Sequence, residues 1–213
     1  MGSGALRAYA EGRGGQAAVP RTGKHQREDT MGSTRIYTIG HSTHALEEFI
    51  GILHAHGITQ LADIRTIPRS RHNPQFNSDE LETALAAAGI RYLRAKELGG
   101  LRPTHRDSVN GAWHNDSFRG YADYMQTEAF ARALDGLIAR AGADDTAVMC
   151  AEAVPWRCHR SLVGDALLVR GVEVLDIFSR TKATAHTLTS FARVEGSTIT
   201  YPPTSLDPGP DQA

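Results

Sequence analysis

The chain has 213 residues, enough for one domain with a sizeable core, and its 23 Lys and Arg nearly balance its 24 Asp and Glu. A net charge of −1 gives no overall reason to expect nucleic acid or an anionic membrane as partner. No apolar stretch approaches the roughly 18 residues of a membrane-spanning helix. The two cysteines, one of them beside a histidine, argue against a disulfide-built secreted scaffold and for a reducing, cytoplasmic setting.

The two ends of the chain differ from its middle. Residues 1–33 are rich in Gly, Ala and Arg, show no periodicity, and lack the apolar segment of a secretory signal. Residues 202–213 are rich in proline and poor in residues that pack. We therefore predict disordered segments at 1–33 and 202–213, and a single domain over 34–201.

The first half of that domain alternates short β-like runs with helical patterns. Strands are predicted at 36–39, 60–64 and 90–93, the first of them stopped by Gly40. Helices are predicted from about Ala45 to Gly57 and over Ser78–Ala88, where apolar residues recur at helical spacing and a glycine follows.

The second half begins with a long break in the pattern. Residues 97–119 have no period, and a loop this long in a compact domain is usually functional or mobile. Helices are then predicted at 121–125, 128–141 and 157–170, with a last short one at 186–192. Strands are predicted at 146–150 and 172–177, and an edge strand at 197–201. The uninterrupted apolar run 146–150 is typical of a sheet covered on both faces.

This alternation predicts an α/β fold. We expect a three-layer sandwich with a mostly parallel sheet of four to five strands and right-handed crossovers. In such folds the loops that follow the carboxyl ends of the strands gather at one edge of the sheet. Nearly all of the chemically interesting residues of this chain fall in those loops, so we expect one site there.

The segment from Thr146 to Arg160 contains both cysteines. An apolar run ends at Cys150, and Glu152 follows it; Cys158 and His159 come at the predicted start of a helix. Amide groups at a helix start and neighbouring cations lower the pKa of a thiol from its usual value of about 8.5. Cys158 is therefore a candidate nucleophile, with His159 or Glu152 as candidate proton carriers.

Each of these residues has a plainer interpretation. Cys158 is in phase with the apolar face of its helix and would then pack on the sheet, and Cys150 would be a small core residue. His159 would be an ordinary polar residue at a helix start. Glu152 would form an ion pair with Arg65 or Arg160, because an unpaired buried charge is costly.

Other residues near the strand ends suit an anion. Guanidinium groups bind phosphate and carboxylate, and Arg65, Arg69 and Arg160 lie in or beside these loops. The turn containing His41 and Ser42 leads from a strand into a helix, where amides and hydroxyls hold anions. A solvated arginine loop and ordinary helix capping are the alternatives. In the long loop, the residues that would close over a ligand are Trp113, His114 and Arg119.

Several motifs occur here in a fixed order: Ile39-Gly40-His41-Ser42, Asp63 to Arg71, Leu98-Gly99-Gly100, and Cys150-Ala151-Glu152 followed by Cys158-His159-Arg160. In these motifs, over residues 34–180, the chain resembles the DUF488 family. The resemblance implies a compact α/β domain with a shared site but no particular reaction. The late strand of that family often carries a histidine, whereas this chain has Asp176, so the resemblance assigns that position no role.

Three classes of function remain open at this point. The first is an enzyme that acts on an anionic small molecule or nucleotide-like group, with Cys158, His159 and Glu152 as catalytic residues and His41, Ser42, Arg65, Arg69 and Arg160 as binding residues. A phosphatase- or rhodanese-like loop fits less well, because the spacing from Cys150 to Arg157 is C-x6-R instead of C-x5-R. The second is metal binding, with Cys150, Cys158, His159 and Glu152 as candidate ligands, although the cysteine spacing matches no standard zinc pattern. The third is a nucleic-acid or protein interaction module. The sequence indicates no particular cofactor.

Overall fold

In a computed structural model, residues 34–203 of the chain are described. The segments predicted to be disordered, apart from residues 202 and 203, lie outside the described residues. The helices are α1 (Leu46–Ala55), α2 (Ser78–Ala87), α3 (Asp116–Tyr124), α4 (Glu128–Ala141) and α5 (Arg160–Val169). The strands are β1 (Arg35–Gly40), β2 (Gln60–Asp63), β3 (Arg91–Arg94), β4 (Thr146–Cys150), β5 (Glu173–Ser179), β6 (Lys182–Ala185), β7 (Arg193–Glu195) and β8 (Thr198–Thr200).

The predicted α/β architecture with a mostly parallel sheet is confirmed. The main sheet has six strands in the order β3-β2-β4-β1-β5-β6, and only β6 runs antiparallel to its neighbour. The sheet is thus one strand larger than the upper bound expected. β6, with the sequence Lys-Ala-Thr-Ala, is mostly exposed and lacks the apolar pattern of the other strands. β7 and β8 form a separate hairpin, so the strand predicted near 197–201 does not join the main sheet.

Helices cover both faces of the sheet. α1 and α2 pack on one face, where Phe49, Leu53 and Leu85 are buried against apolar residues of β1, β2, β4 and β5. α3, α4 and α5 pack on the other face, with Tyr121 and Leu162 among the fully buried side chains. β4 is buried at all five positions because it lies in the middle of the sheet between both helical layers.

Three helix predictions need correction. The helix predicted over 157–170 begins only at Arg160, because Pro155–Arg157 form a short 3-10 helix and Cys158 is extended. The helix predicted over 186–192 is wrong, because this segment is extended or turned and is fixed by polar contacts: the His186 amide donates to the Val174 carbonyl at 2.8 Å. α3 begins at Asp116, five residues earlier than predicted and inside the supposed loop. The Asn115 side chain accepts hydrogen bonds from the amides of Ser117 and Phe118, so it caps a helix that the apolar spacing alone did not reveal.

A buried ionic network joins the sheet to this segment. His186 lies between two carboxylates, with Nδ1 at 2.8 Å from Asp176 and Nε2 at 3.2 Å from Asp165. The hydroxyl of Tyr201 donates to Asp165 at 2.8 Å, and that of Thr38 donates to Asp176 at 2.5 Å. Asp176 therefore fixes one end of this polar network, and every carboxylate oxygen in it has a hydrogen-bond donor or a charged partner.

The network predicts a loss of stability in alkaline solution. Burial lowers the pKa of His186, but the hydrogen bonds with Asp165 and Asp176 outweigh it and raise the pKa to about 9. The stabilisation is then complete below the unfolded-state pKa of about 6.5 and is lost as the pH rises through about 9. This stabilisation by the protonated His186 is on the order of 3 kcal/mol. Urea unfolding between pH 6 and 10 measures this loss. In His186→Asn the fall in the free energy of unfolding between about pH 6.5 and 9 should disappear, and an unchanged slope in that variant would assign the effect elsewhere.

No helix within residues 34–203 is long and apolar enough to cross a membrane.

Candidate functional site

The ends of three neighbouring strands define the site. β2, β4 and β1 lie side by side and run parallel, so the residues that follow Asp63, Cys150 and Gly40 meet at one edge of the sheet. Backbone hydrogen bonds hold these loops together: the His41 amide donates to the Cys150 carbonyl at 3.0 Å, and the Ser42 amide to the Ala151 carbonyl at 2.9 Å.

Two clefts adjoin along this edge. The first, of about 410 Å³, contains Cys150, Cys158 and His159 and is called the thiol cleft. The second, of about 400 Å³, contains His41, Ser42 and Arg69 and is called the arginine cleft. Arg65, Ile67, Ala151 and Glu152 border both clefts. A depression of about 430 Å³ between β3 and α4 contains none of the predicted site residues.

Seven of the eight residues predicted for the site border one of these clefts, and Arg160 does not. Arg160 is 1% exposed, and its guanidinium donates to the backbone carbonyls of Glu152 at 2.9 Å and Ala153 at 3.3 Å. Its position therefore fits a residue that holds the loop after β4 against α5, a different role from the anion binding that we predicted.

The position of Cys158 is compatible with both of its sequence interpretations. Its side chain is 4% exposed and belongs to the apolar cluster that includes Leu162 and Ala166, as the packing interpretation expects. It also borders the thiol cleft, and its sulfur accepts the Arg160 amide at 3.4 Å at the start of α5. A short 3-10 helix over Pro155–Arg157 turns the chain so that this sulfur returns to the end of β4.

The two thiols face different conditions. The neighbouring Cys150 thiol lowers the pKa of Cys158, and the Arg160 charge and amide lower it further. The neighbouring Cys158 sulfur, together with burial, raises the pKa of Cys150 far above its ordinary value. Cys158 is thus the thiol that more readily becomes a thiolate, and Cys150 keeps its proton.

His159 contacts both sulfurs. Its Nδ1 lies 3.8 Å from Cys158 Sγ and 3.9 Å from Cys150 Sγ. Its ring packs on that of Tyr121, with centroids 4.8 Å apart, and Tyr121 is fixed by donating to the Leu98 carbonyl at 2.8 Å. Nε2 is buried and has no hydrogen-bond partner among residues 34–203. These contacts direct Nδ1 at the thiols.

Arg65 is held by an acid that sequence reasoning did not assign to it. Asp63, fully buried, accepts hydrogen bonds from Arg65 Nε at 2.9 Å and from its terminal nitrogen at 2.7 Å. The other terminal nitrogen of Arg65 lies 3.2 Å from His41 Nε2. Arg65 is therefore fixed in place with its charge largely balanced, which limits how much it adds to anion binding.

His41 is a neutral neighbour of Arg65. Burial lowers its pKa to about 4. Its Nδ1 lies 2.9 Å from the Ser42 carbonyl, and its ring stacks on Phe76 at 4.3 Å. Since a carbonyl only accepts, Nδ1 carries the proton and Nε2 accepts from Arg65. Ser42 adopts a left-handed backbone conformation, with φ of 47°, at this turn.

Glu152 is exposed, and the expected ion pair with Arg65 or Arg160 does not form, because Arg65 pairs with Asp63 and Arg160 binds backbone carbonyls. Its carboxylate makes no hydrogen bond and no salt bridge within the described part of the chain, while its carbonyl binds Arg160. An exposed carboxylate that borders both clefts is available to a ligand or a water molecule in either of them.

The loop over 97–119 does contribute to the thiol cleft, but through residues that we did not single out. Leu101 and Phe118 border the cleft, as does Arg157 from the loop after β4. Leu101 is 70% exposed with a φ of 58°, and Ile67 across the cleft is 64% exposed. Apolar residues such as Leu101 and Phe118 within an otherwise polar, aperiodic segment are the sequence signal that would have indicated them.

The three residues proposed to close over a ligand lie elsewhere. Trp113 packs among Phe118, Phe191 and Tyr201, Arg119 pairs with Asp116, and His114 is exposed without bordering either cleft.

One group of side chains could hold a metal ion. Cys150 Sγ, Cys158 Sγ and His159 Nδ1 all lie within 4.8 Å of one another. Their spacing along the chain matches no standard zinc motif, because the strand end and the helix start, instead of a tight C-x2-C turn, bring them together.

The chain was also compared with known proteins. Neither the curated proteins nor the solved structures contain a match. The model of a protein family described as a domain of unknown function, DUF488, matches residues 45–167, more than half of the chain. That range contains the loop with Arg65, Arg69 and Arg71, both cysteines and His159. The resemblance found in the sequence motifs is thereby confirmed. The chain belongs to the DUF488 family.

Proposed function

We propose that this protein is an enzyme that acts on a small molecule bearing a phosphate or carboxylate group, with the Cys158 thiolate as nucleophile. One observation carries the proposal: Cys158 Sγ borders a cleft at the carboxyl edge of the sheet, accepts an amide at the start of α5, and lies 3.8 Å from an imidazole nitrogen. This is the arrangement that activates thiols in enzymes.

The proposed chemistry is acyl or phosphoryl transfer. The Cys158 proton passes to His159 Nδ1, and the sulfur attacks the carbonyl carbon or phosphorus of the substrate. A bond from sulfur to that atom forms, and the bond to the leaving oxygen, or to the leaving sulfur of a thioester, breaks. His159 returns the proton to that leaving atom. Water, deprotonated by Glu152, then displaces the sulfur, which regenerates the thiolate and releases the acid.

The arginine cleft supplies the anion subsite of this proposal. Arg69 is exposed there and forms no ion pair within residues 34–203, so its charge is available to a ligand. The Ser42 hydroxyl is also available, and Arg65 contributes its remaining N–H groups from the shared border. His41 acts as a positioning residue that orients Arg65. The two reduced thiols fit a reducing compartment such as the cytoplasm.

A panel of phosphate monoesters, nucleotides, acyl phosphates and thioesters tests this proposal. Once the panel yields a substrate, Cys158→Ser is expected to lower kcat/KM by at least about 100-fold, because a hydroxyl at that position is a far weaker nucleophile. Arg69→Gln is expected to raise KM with little change in kcat, since it removes binding common to substrate and transition state.

Exposed Arg71, on the same loop outside both clefts, provides the matched control as Arg71→Gln. Each variant is checked for an unchanged urea unfolding midpoint, so that loss of fold is not mistaken for loss of function. A Cys158→Ser variant that is folded and fully active would refute the nucleophile, and so would a panel in which every class of compound is left unchanged.

A further inference from the structure

Cys150 forms no bond to the substrate in the proposed reaction, yet it lies at the reactive centre. It ends β4 in the middle of the sheet, 7% exposed, and it faces both Cys158 and the Nδ1 of His159. A small core residue would fill this position equally well. Its sulfur, however, completes a set of two sulfurs and one imidazole nitrogen around a common point. Zinc and other thiophilic cations prefer such ligands.

The sulfur–nitrogen distances are close to those of a tetrahedral site. Zinc binds sulfur at about 2.3 Å and imidazole nitrogen at about 2.0–2.1 Å, so neighbouring ligand atoms lie about 3.5–3.8 Å apart. His159 Nδ1 lies 3.8 and 3.9 Å from the two sulfurs, and no pair among the three exceeds 4.8 Å. Side-chain shifts of a few tenths of an ångström would bring both sulfur–nitrogen distances to those of a bound ion.

The surroundings hold these ligands without closing the site. Tyr121 packs on the His159 ring, and the Arg160 amide fixes Cys158 Sγ. Gly100 lies so close to the same ring that an added Cβ would be 3.0 Å from Nδ1, so a larger residue there would require the imidazole to shift by a few tenths of an ångström. All three ligand residues border the thiol cleft, which leaves the fourth position facing the cleft and Glu152.

We infer that Cys150, Cys158 and His159 form a three-ligand site for a thiophilic divalent cation such as Zn²⁺, with its fourth position open to the cleft. Binding replaces the two thiol protons, which are released to solvent. It also engages the sulfur lone pair that would attack a substrate, so the cation inhibits the enzyme. The inhibition rests on the proposed function, whereas the binding does not.

Cobalt and zinc titrations of the untagged, chelator-treated full chain test the inference. Co²⁺ should bind with one ion per chain and give the charge-transfer absorption of thiolate ligands and the visible bands of a tetrahedral ion; Zn²⁺ should displace it. Cys150→Ser and His159→Gln should each weaken binding by at least about 10-fold. The matched control is His72→Asn, an exposed histidine outside both clefts, which should bind as the unaltered protein does.

The outcomes separate this inference from the proposed function. Absence of thiolate absorption, or binding that survives Cys150→Ser unchanged, overturns the metal site and leaves the nucleophile standing. Stoichiometric binding by a protein that fails every assay of the substrate panel supports the metal site and counts against the nucleophile. If the metal site and the Cys158 nucleophile are both supported, Zn²⁺ should suppress turnover of the unaltered protein at the concentration that saturates the Co²⁺ signal.

Discussion

Replacing Asp63 with alanine is expected to lower the free energy of unfolding by about 3–5 kcal/mol. Asp63 is fully buried at the end of β2, and it accepts hydrogen bonds from the backbone and side chain of Arg65 and, at 2.7 Å, from the Tyr92 hydroxyl. The variant leaves the Arg65 guanidinium 5% exposed without its counter-charge, and removing one partner of a buried pair costs far more than the pair contributes.

Urea unfolding of Asp63→Ala and of a surface control measures this effect. Glu128→Ala removes the partner of Arg132 on α4, where both side chains are mostly exposed, and should change stability by no more than a few tenths of a kcal/mol. Comparable losses in the two variants would mean that the buried pair has no special role. Because Arg65 borders both clefts, Asp63→Ala should also disturb the site in whatever fraction remains folded.

Gly40→Ala is expected to displace the loop after β4 and to destabilise the protein by roughly 3 kcal/mol or more. A Cβ at this position would lie 1.8 Å from the Glu152 carbonyl oxygen and 2.8 Å from an Arg160 nitrogen. The oxygen belongs to the backbone and already accepts from Arg160, so it cannot move without breaking that contact. The close approach of β1 to the loop therefore requires glycine.

Gly136→Ala is the matched control for this substitution. Gly136 lies inside α4 with no atom within 4 Å of an added Cβ, so alanine should stabilise the helix by about 0.5–1 kcal/mol. The two glycine variants are thus expected to change stability in opposite directions, as read from thermal or urea unfolding. A Gly40→Ala protein as stable as the unaltered chain would show that the loop after β4 is not held as described.

The parts of the fold that follow apolar periodicity were predictable. β4 is a continuous apolar run and α4 has apolar residues at helical spacing, and both form within a residue of the predicted bounds. The parts of the fold that are fixed by polar contacts were not predictable from apolar periodicity. The segment after His186 is held by Asp165, Asp176 and a backbone bond, and these partners come from distant points of the chain.

The same distinction applies to the site. The parallel order of β2, β4 and β1 brings strand-end residues to one edge, and this follows from the fold class alone. The partners of individual charges do not follow from it. Arg65 pairs with Asp63, two residues away, and Arg160 binds carbonyls; neither pairs with the Glu152 carboxylate. The direction of a side chain depends on backbone angles that sequence spacing does not specify.

The account rests on Cys158 being a reactive thiolate, and the alkylation rates of the two cysteines test this most directly. The folded, metal-free chain is treated with iodoacetamide at neutral pH, and each site is followed by mass spectrometry. Cys158 should react at least about 10-fold faster than Cys150, whereas in urea the two rates should converge, since the difference depends on the amide at the start of α5 and on the Cys150 proton. If both thiols stay unmodified until the protein unfolds, Cys158 is a packing residue of the core and the proposed nucleophile is wrong.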